Sequence, residues 1–211
     1  MPSINSVFAT KIYQASVSGR GSKRLNDDLK RAALALAEDD IAGQEWSQQK
    51  NYGGYTSYAS LSDLPWRMPE FAQLETYIIE HAKQFAAELQ LEMSNSTPEL
   101  DSMWVNILEP GGNHTAHIHP NSVISGTYYV DIYGDSSAIR FEDPRLPMMM
   151  AAPPRKANAS LENRTFVEIK PKNGMLLLWE SWLRHEVPIN LSDHERISIS
   201  FNINLQETEK S

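Results

Sequence analysis

The nine residues Arg196-Ile-Ser-Ile-Ser-Phe-Asn-Ile-Asn204 alternate apolar and polar without a break, and no other stretch limits the fold so tightly. Successive side chains of a β-strand point to opposite sides. Ile197, Ile199, Phe201 and Ile203 therefore share one face, and Arg196, Ser198, Ser200, Asn202 and Asn204 share the other. The first face needs an apolar layer. The second carries a cation, hydroxyls and amides; an outer strand with this face in water is the ordinary reading, but with no acid the composition also suits the lumen of a barrel. In a lumen, Arg196 would pair with a carboxylate ligand while the apolar face packed on helices.

Helices of the required kind lie upstream. Leu25, Leu29, Ala32, Ala33, Leu36 and Ile41 recur near helical spacing with charged residues between them, which predicts an amphipathic helix over 26–41. Pro69 suits the first turn of a second helix, and Phe71, Leu74, Ile78, Ala82, Phe85 and Leu89 continue its stripe to 91. His81, at the edge of that stripe, reads as an ordinary half-buried residue. Val7–Tyr13 reads as a short first strand, and 51–69, with Gly53-Gly54 and two prolines, as a surface loop.

Beyond a polar turn at 94–98 the pattern becomes short alternating or apolar runs separated by Gly, Pro, Asn and Asp. Candidate strands are 103–109, 123–133, 138–142, 164–170, 174–179, 183–188 and 195–205. The expectation is one mainly β domain over 1–211, a sandwich or barrel with helices on one outer face. Residues 1–98 would supply a strand and helical support, and 99–211 the β core. Met148-Met-Met-Ala-Ala-Pro-Pro-Arg-Lys-Ala157 interrupts the strands and reads as a loop tucked against the core, or as a lid.

Composition narrows the chemistry. A net charge of −8 argues against nucleic acid or an anionic membrane as the main partner. The absence of cysteine excludes disulfides, zinc thiolates, iron–sulfur clusters and thiol nucleophiles, so a metal must be held by nitrogen and oxygen. The apolar runs Met175–Trp179 and Met148–Ala152 are too short to span a bilayer, and residues 1–20 contain no apolar leader, so a cytoplasmic protein is expected. A homodimer is left open.

Three of the six histidines fall in His114-Thr-Ala-His117-Ile-His119. Residues i and i+2 of a strand share a side, about 6.6 Å apart, so His117 and His119 can converge on one metal ion. His114 has the opposite parity and is expected to face away. His185, opening a later strand, is the best third ligand, whereas His194 between Asp193 and Glu195 reads as a turn residue. Asp131 and Asn121 are reserve oxygen donors. Arg140 and Arg145 would steer an anion or form surface salt bridges. Trp179 and Trp182 flank the approach to His185.

In order and spacing these residues resemble the 2-oxoglutarate/Fe(II)-dependent oxygenases, and in particular a bacterial and phage family of about this length with prolyl-hydroxylase-like motifs. That superfamily carries a His-x-carboxylate pair after an early strand, a distal His on a late strand, and an Arg about ten residues further on, often as Arg-x-Ser. Here His117-Ile-His119, His185 and Arg196-Ile-Ser198 fall at those places. Leu108-Glu-Pro-Gly-Gly112, Ser125-Gly-Thr-Tyr-Tyr-Val130, Phe8-Ala-Thr10, Gly54-Tyr-Thr-Ser57 and Phe141-Glu-Asp-Pro-Arg145 extend the likeness over nearly the whole chain.

The resemblance implies a double-stranded β-helix (jelly roll), Fe(II) and 2-oxoglutarate as cofactor and co-substrate, O2, and a small-molecule or peptide substrate for hydroxylation. It implies His117, His119 and His185 as metal ligands and Arg196 with Ser198 at the co-substrate's distal carboxylate. Asn106, Ser122, Tyr129 and Asn202, on strands that should border the site, are further candidates for binding the co-substrate.

One departure stands out, since His119 occupies the carboxylate's place. Three neutral histidines leave an Fe(II) site at +2, which a bidentate 2-oxoglutarate dianion neutralises. Three-histidine sites also serve cupin-type dioxygenases or isomerases that use no oxo acid. A non-catalytic metal-binding protein is a third reading.

Overall fold

The computed structural model describes residues 2–17 and 21–208. The elements in order are β1 (Ile12–Ser16), α1 (Ser22–Asp39), α2 (Ile41–Gln49), β2 (Gly54–Thr56), α3 (Leu64–Arg67), α4 (Pro69–Glu88) and β3 (Ser96–Leu108). There follow β4 (His114–His117), β5 (Ile124–Asp131), β6 (Ile139–Glu142), β7 (Phe166–Ile169), β8 (Met175–Glu180), β9 (His185–Val187) and β10 (Arg196–Glu207). They form a six-stranded sheet in the order β1-β8-β5-β10-β3-β2 and a four-stranded sheet in the order β4-β9-β6-β7. Paired strands run antiparallel throughout, and the two sheets make the double-stranded β-helix.

β10 separates its faces as the alternation requires. Ile197, Ile199, Phe201 and Ile203 join Leu25, Leu29, Phe71, Leu74, Ile78 and Phe85 of α1 and α4 in one buried cluster outside the large sheet. Arg196, Ser198 and Asn202 are buried on the inner face. There a smaller apolar cluster of Tyr129, Ile139, Phe141, Leu177, Trp179 and Leu183 bridges the two sheets. The polar face of β10 is thus a lumen wall, and the helices cover the opposite side.

Several local expectations are corrected. The first strand covers 12–16 rather than 7–13, because Val7 and Phe8 are exposed, Phe8 has a positive φ, and pairing with β8 begins only at Ile12↔Trp179. The helix expected over 26–41 stops at Asp39. Asp40 leaves helical geometry and its carboxylate accepts the Gly43 N–H at 3.0 Å, capping a second helix. A Cβ on Gly43 would lie 2.1 Å from that carboxylate, so the cap needs glycine there.

α4 ends at Glu88 because Gln90 adopts a left-handed φ of 57°, with Leu91 N–H donating to Ala86 O and Gln90 N–H to Ala87 O. This is a Schellman closure without the usual glycine. The expected loop over 51–69 contains β2 and α3. The 148–157 segment is not tucked in, since Met148 and Met150 are exposed. Among the described residues no helix is long and apolar enough to cross a membrane.

Candidate metal and co-substrate site

His117 and His185 face each other as paired residues of β4 and β9, at the edge of the small sheet that looks into the lumen. Each ring is held by its neighbouring backbone. Nδ1 of His117 donates to Thr115 O at 2.6 Å, and Nδ1 of His185 donates to Leu183 O at 2.9 Å, which leaves each Nε2 unprotonated with a lone pair to offer. His119 follows β4, where its N–H donates to Ser181 O at 3.0 Å. Its ring stacks on His185 with centroids 5.2 Å apart, and the two Nε2 atoms are 3.3 Å apart.

One ligand atom from each of the three histidines lies within 4.8 Å of the others. A facial set about 2.1 Å from an ion holds its nitrogens about 3 Å apart, so only small ring adjustments separate this arrangement from a coordinated one. Burial, with the His117 charge adding, holds the His119 pKa down at about 4, and burial foremost pushes that of His185 well below the ordinary histidine value. Both are neutral at neutral pH, as metal ligands must be.

The other half of the site surrounds Arg196. Its side chain is 2% exposed, yet among the described residues no carboxylate pairs with it. Its Nε has no hydrogen-bond partner, and NH1 makes a long contact of 3.4 Å to Ser198 Oγ. The guanidinium lies over the Tyr129 ring at 5.1 Å and acts on its buried hydroxyl, whose O–H finds no acceptor. Burial pushes that phenol up to about 12, so it is a neutral donor. The Trp179 indole N–H is a third buried group without a partner, in a ring packed edge-on to His185 at 4.7 Å. Unpaired buried charge is costly, and a lumen that keeps one together with two orphan donors suits an anionic guest.

The remaining candidates are spread along the same wall. Asn106 pairs with Ser198 in register, but its Oδ1 accepts from Tyr52 Oη and Thr56 Oγ1, both at 2.9 Å, and its Nδ2 donates to Ser200 Oγ at 3.0 Å. Its polar atoms are already engaged. Asn202 lies six residues from Arg196, about 20 Å along the strand. It accepts from Ser125 Oγ at 2.8 Å, and Ser125 bonds Ser181, whose carbonyl holds His119; Asn202 therefore braces the histidine end rather than meeting Arg196. Ser122 stays in the turn at Asn121, and no hydrogen bond joins it to the histidines or Arg196.

Other expectations are overturned or reassigned. Asp131 is no reserve ligand, because an irregularity between Ile197 and Ser198 turns it to α1, where Lys30 pairs with it at 2.7 Å. Asn121 is exposed in its turn. Arg140 pairs with Glu186 across β6 and β9, and Arg145 forks onto Asp143 at 2.9 Å, so both take the salt-bridge role. Trp182 is about half exposed, whereas Trp179 is buried and forms part of the wall.

His114 does not face away. From His114↔Val187 to His117↔His185, β4 advances three residues while β9 advances two, and the extra residue resets the alternation. The His114 ring meets Tyr52, with Nε2 hydrogen-bonded to the Tyr52 hydroxyl and ring centroids 5.1 Å apart. Burial first, then Arg196 and His117, lowers its pKa to about 3. Tyr52 was given no role by the sequence reading. The signal available was the two glycine pairs: a Cβ on Gly53 would lie 2.8 Å from Gly112 Cα, and one on Gly112 2.4 Å from Gly53 O, so glycine at both lets the loops touch and bring Tyr52 to His114.

Comparison with known proteins finds one matching family model. Residues 102–202, nearly all of the β-helix half, match the family model described as "Putative 2OG-Fe(II) oxygenase". No curated protein matches the sequence. Among solved structures, a Pseudomonas putida prolyl-4-hydroxylase superposes with a TM-score of 0.60 at 13% identity, covering 92% of this chain and 93% of that one. The non-heme alpha-ketoglutarate-dependent epimerase SnoN of nogalamycin biosynthesis gives 0.63 at 13% identity over 95% and 79%. HygX from Streptomyces hygroscopicus, solved with nickel and 2-oxoglutarate bound, gives 0.55 at 14% identity over 92% and 82%. At such identities these likenesses establish the fold.

Proposed function

We propose that the chain is a 2OG-Fe(II) oxygenase that hydroxylates a small molecule or peptide, with Fe(II) held by His117, His119 and His185 and 2-oxoglutarate anchored at Arg196. The observation that carries the reading is the buried, acid-free guanidinium of Arg196 in the same lumen as three convergent histidines. The donor set fits. Three neutral imidazoles suit a divalent first-row metal, and a +2 site next to an unpaired cation suits a dianionic oxo acid.

Bound together, Fe(II) and 2-oxoglutarate supply O2 activation coupled to oxidative decarboxylation of the oxo acid. The chain's own residues supply placement. Arg196 and Ser198 offer donors for the distal carboxylate, and the Tyr129 hydroxyl is a further donor beside them. Leu177, Trp179, Phe141 and Tyr129 form the apolar wall of the lumen behind the buried His185. The Thr115 and Leu183 carbonyls fix the tautomers of His117 and His185.

Anaerobic addition of 2-oxoglutarate to the Fe(II)-loaded protein tests the proposal. A weak visible charge-transfer band that saturates at one equivalent is expected. No band and no binding heat would reject it.

A further inference from the structure

Resting on the co-substrate reading above, we infer that Tyr52 and His114 form the side wall of the co-substrate slot and restrict it to a five-carbon oxo-diacid, rejecting a longer one. The argument comes from register. Ser200 of β10 lies opposite Trp104 of β3 and Thr127 of β5, and the Trp104 ring is 5.9 Å from that of His119. This is the histidine level. Ser198 lies opposite Asn106 and Tyr129, and Asn106 in turn lies opposite Thr56. Arg196 forms a third level beside Leu108 and Gly54.

Successive levels are two residues apart, about 6.6 Å, so a guest joining the histidines to Arg196 must pass the middle level. Tyr52 and His114 stand at that level, because Tyr52 Oη donates to Asn106 Oδ1 at 2.9 Å and accepts from His114 Nε2. His114 comes from the small sheet, while Asn106 and Ser198 belong to the large one. The pair therefore closes the gap between the sheets on one side of the slot.

The wall is braced. Asn106 Oδ1 also accepts from Thr56 Oγ1, and Asn106 Nδ2 is tied to Ser200 Oγ, so Tyr52 cannot turn away without orphaning buried groups. The contact of Gly53 with Gly112 fixes the loops that carry the two rings. With both ends of the guest pinned, one extra methylene must buckle sideways. A rigid ring pair leaves it no room.

The test is calorimetric binding of 2-oxoglutarate and of 2-oxoadipate, one methylene longer, to the full-length Mn(II)-loaded protein without turnover. One methylene that a closely fitted slot cannot accommodate is worth about tenfold or more. The wild-type protein is expected to prefer 2-oxoglutarate by at least that factor. His114→Ala opens the wall from the small sheet and Tyr52→Ala from the loop, and each should reduce the preference at least about fivefold while 2-oxoglutarate still binds. Tyr52→Phe keeps the bulk and should keep the preference.

An unchanged preference in both alanine variants, each with wild-type circular dichroism, overturns the inference and leaves the proposed function standing. Should His114→Ala not fold, Tyr52→Ala decides alone. A wild-type protein that binds neither acid refutes the co-substrate reading and the wall together.

Discussion

Replacing Arg196 by methionine separates a binding role from a structural one. Arg196 is 2% exposed, has no carboxylate partner among the described residues, and its Nε is unbonded. In the ligand-free protein it is a desolvated charge offset only by the Tyr129 ring and a long contact to Ser198, and methionine fills much of the same stem volume with no charge to bury. The ligand-free variant should therefore melt no lower than wild type.

Bound 2-oxoglutarate reverses the balance. Removing one partner of a buried ion pair costs about 3–5 kcal/mol. At about 1.4 kcal/mol per tenfold, the 2-oxoglutarate Kd should rise between about a hundredfold and a few thousandfold, with metal affinity unchanged. Calorimetry on Mn(II)-loaded protein reads the first quantity and thermal melting of metal-free protein the second. A domain of this size loses about 2–4 °C of Tm per kcal/mol. A Kd within threefold of wild type, or a metal-free Tm lower by ten degrees, would refute the reasoning, because Arg196 would then serve the fold rather than the guest.

How far the fold could be read in advance depended on whether its determinants are local. β10 was legible because both of its faces are buried for different reasons, one under helices and one in a polar lumen, so the alternation survives intact. The stripes of α1 and α4 were legible because one side of each helix is buried and apolar while the other is exposed and charged. Helix ends were not. Asp40 and Gln90 stop helices through a cap and a left-handed residue that their types only weakly announce.

The three convergent histidines were found from parity and order, but parity failed at His114, where one inserted residue in β4 flips the side chain. No periodicity shows a single-residue bulge in a four-residue strand. Tyr52 lies 62 residues from His114 in sequence, and only the meeting of two glycine turns joins them. Asn202 was misplaced along the strand rather than across it, since alternation reports a side chain's face and not its level.

Further predictions follow from the same geometry. His119→Asp should still bind a divalent metal, but the site charge falls from +2 to +1, so 2-oxoglutarate should bind several-fold more weakly in calorimetry; tighter binding would contradict the charge argument. Metal-free protein should lose stability as pH falls from about 6.5, because unfolded histidines take up protons there, whereas folded His114 and His119 stay neutral down to about 3 and about 4. Their contribution is complete above the unfolded pKa and is lost as pH drops through that window. His114→Gln should flatten the denaturation free energy against pH by about one proton, or about 1.4 kcal/mol per pH unit, between pH 6 and 4; an unchanged slope would contradict the shift.

The most direct test of the account is a crystal structure of the anaerobic Fe(II)–2-oxoglutarate complex with anomalous data collected at the iron edge. The account predicts one anomalous peak about 2.1 Å from the Nε2 atoms of His117 and His185 and from a ring nitrogen of His119, with the distal carboxylate of 2-oxoglutarate on Arg196. A peak held by other residues, or a peak at this site with His119 turned away and Arg196 free of the carboxylate, would contradict it.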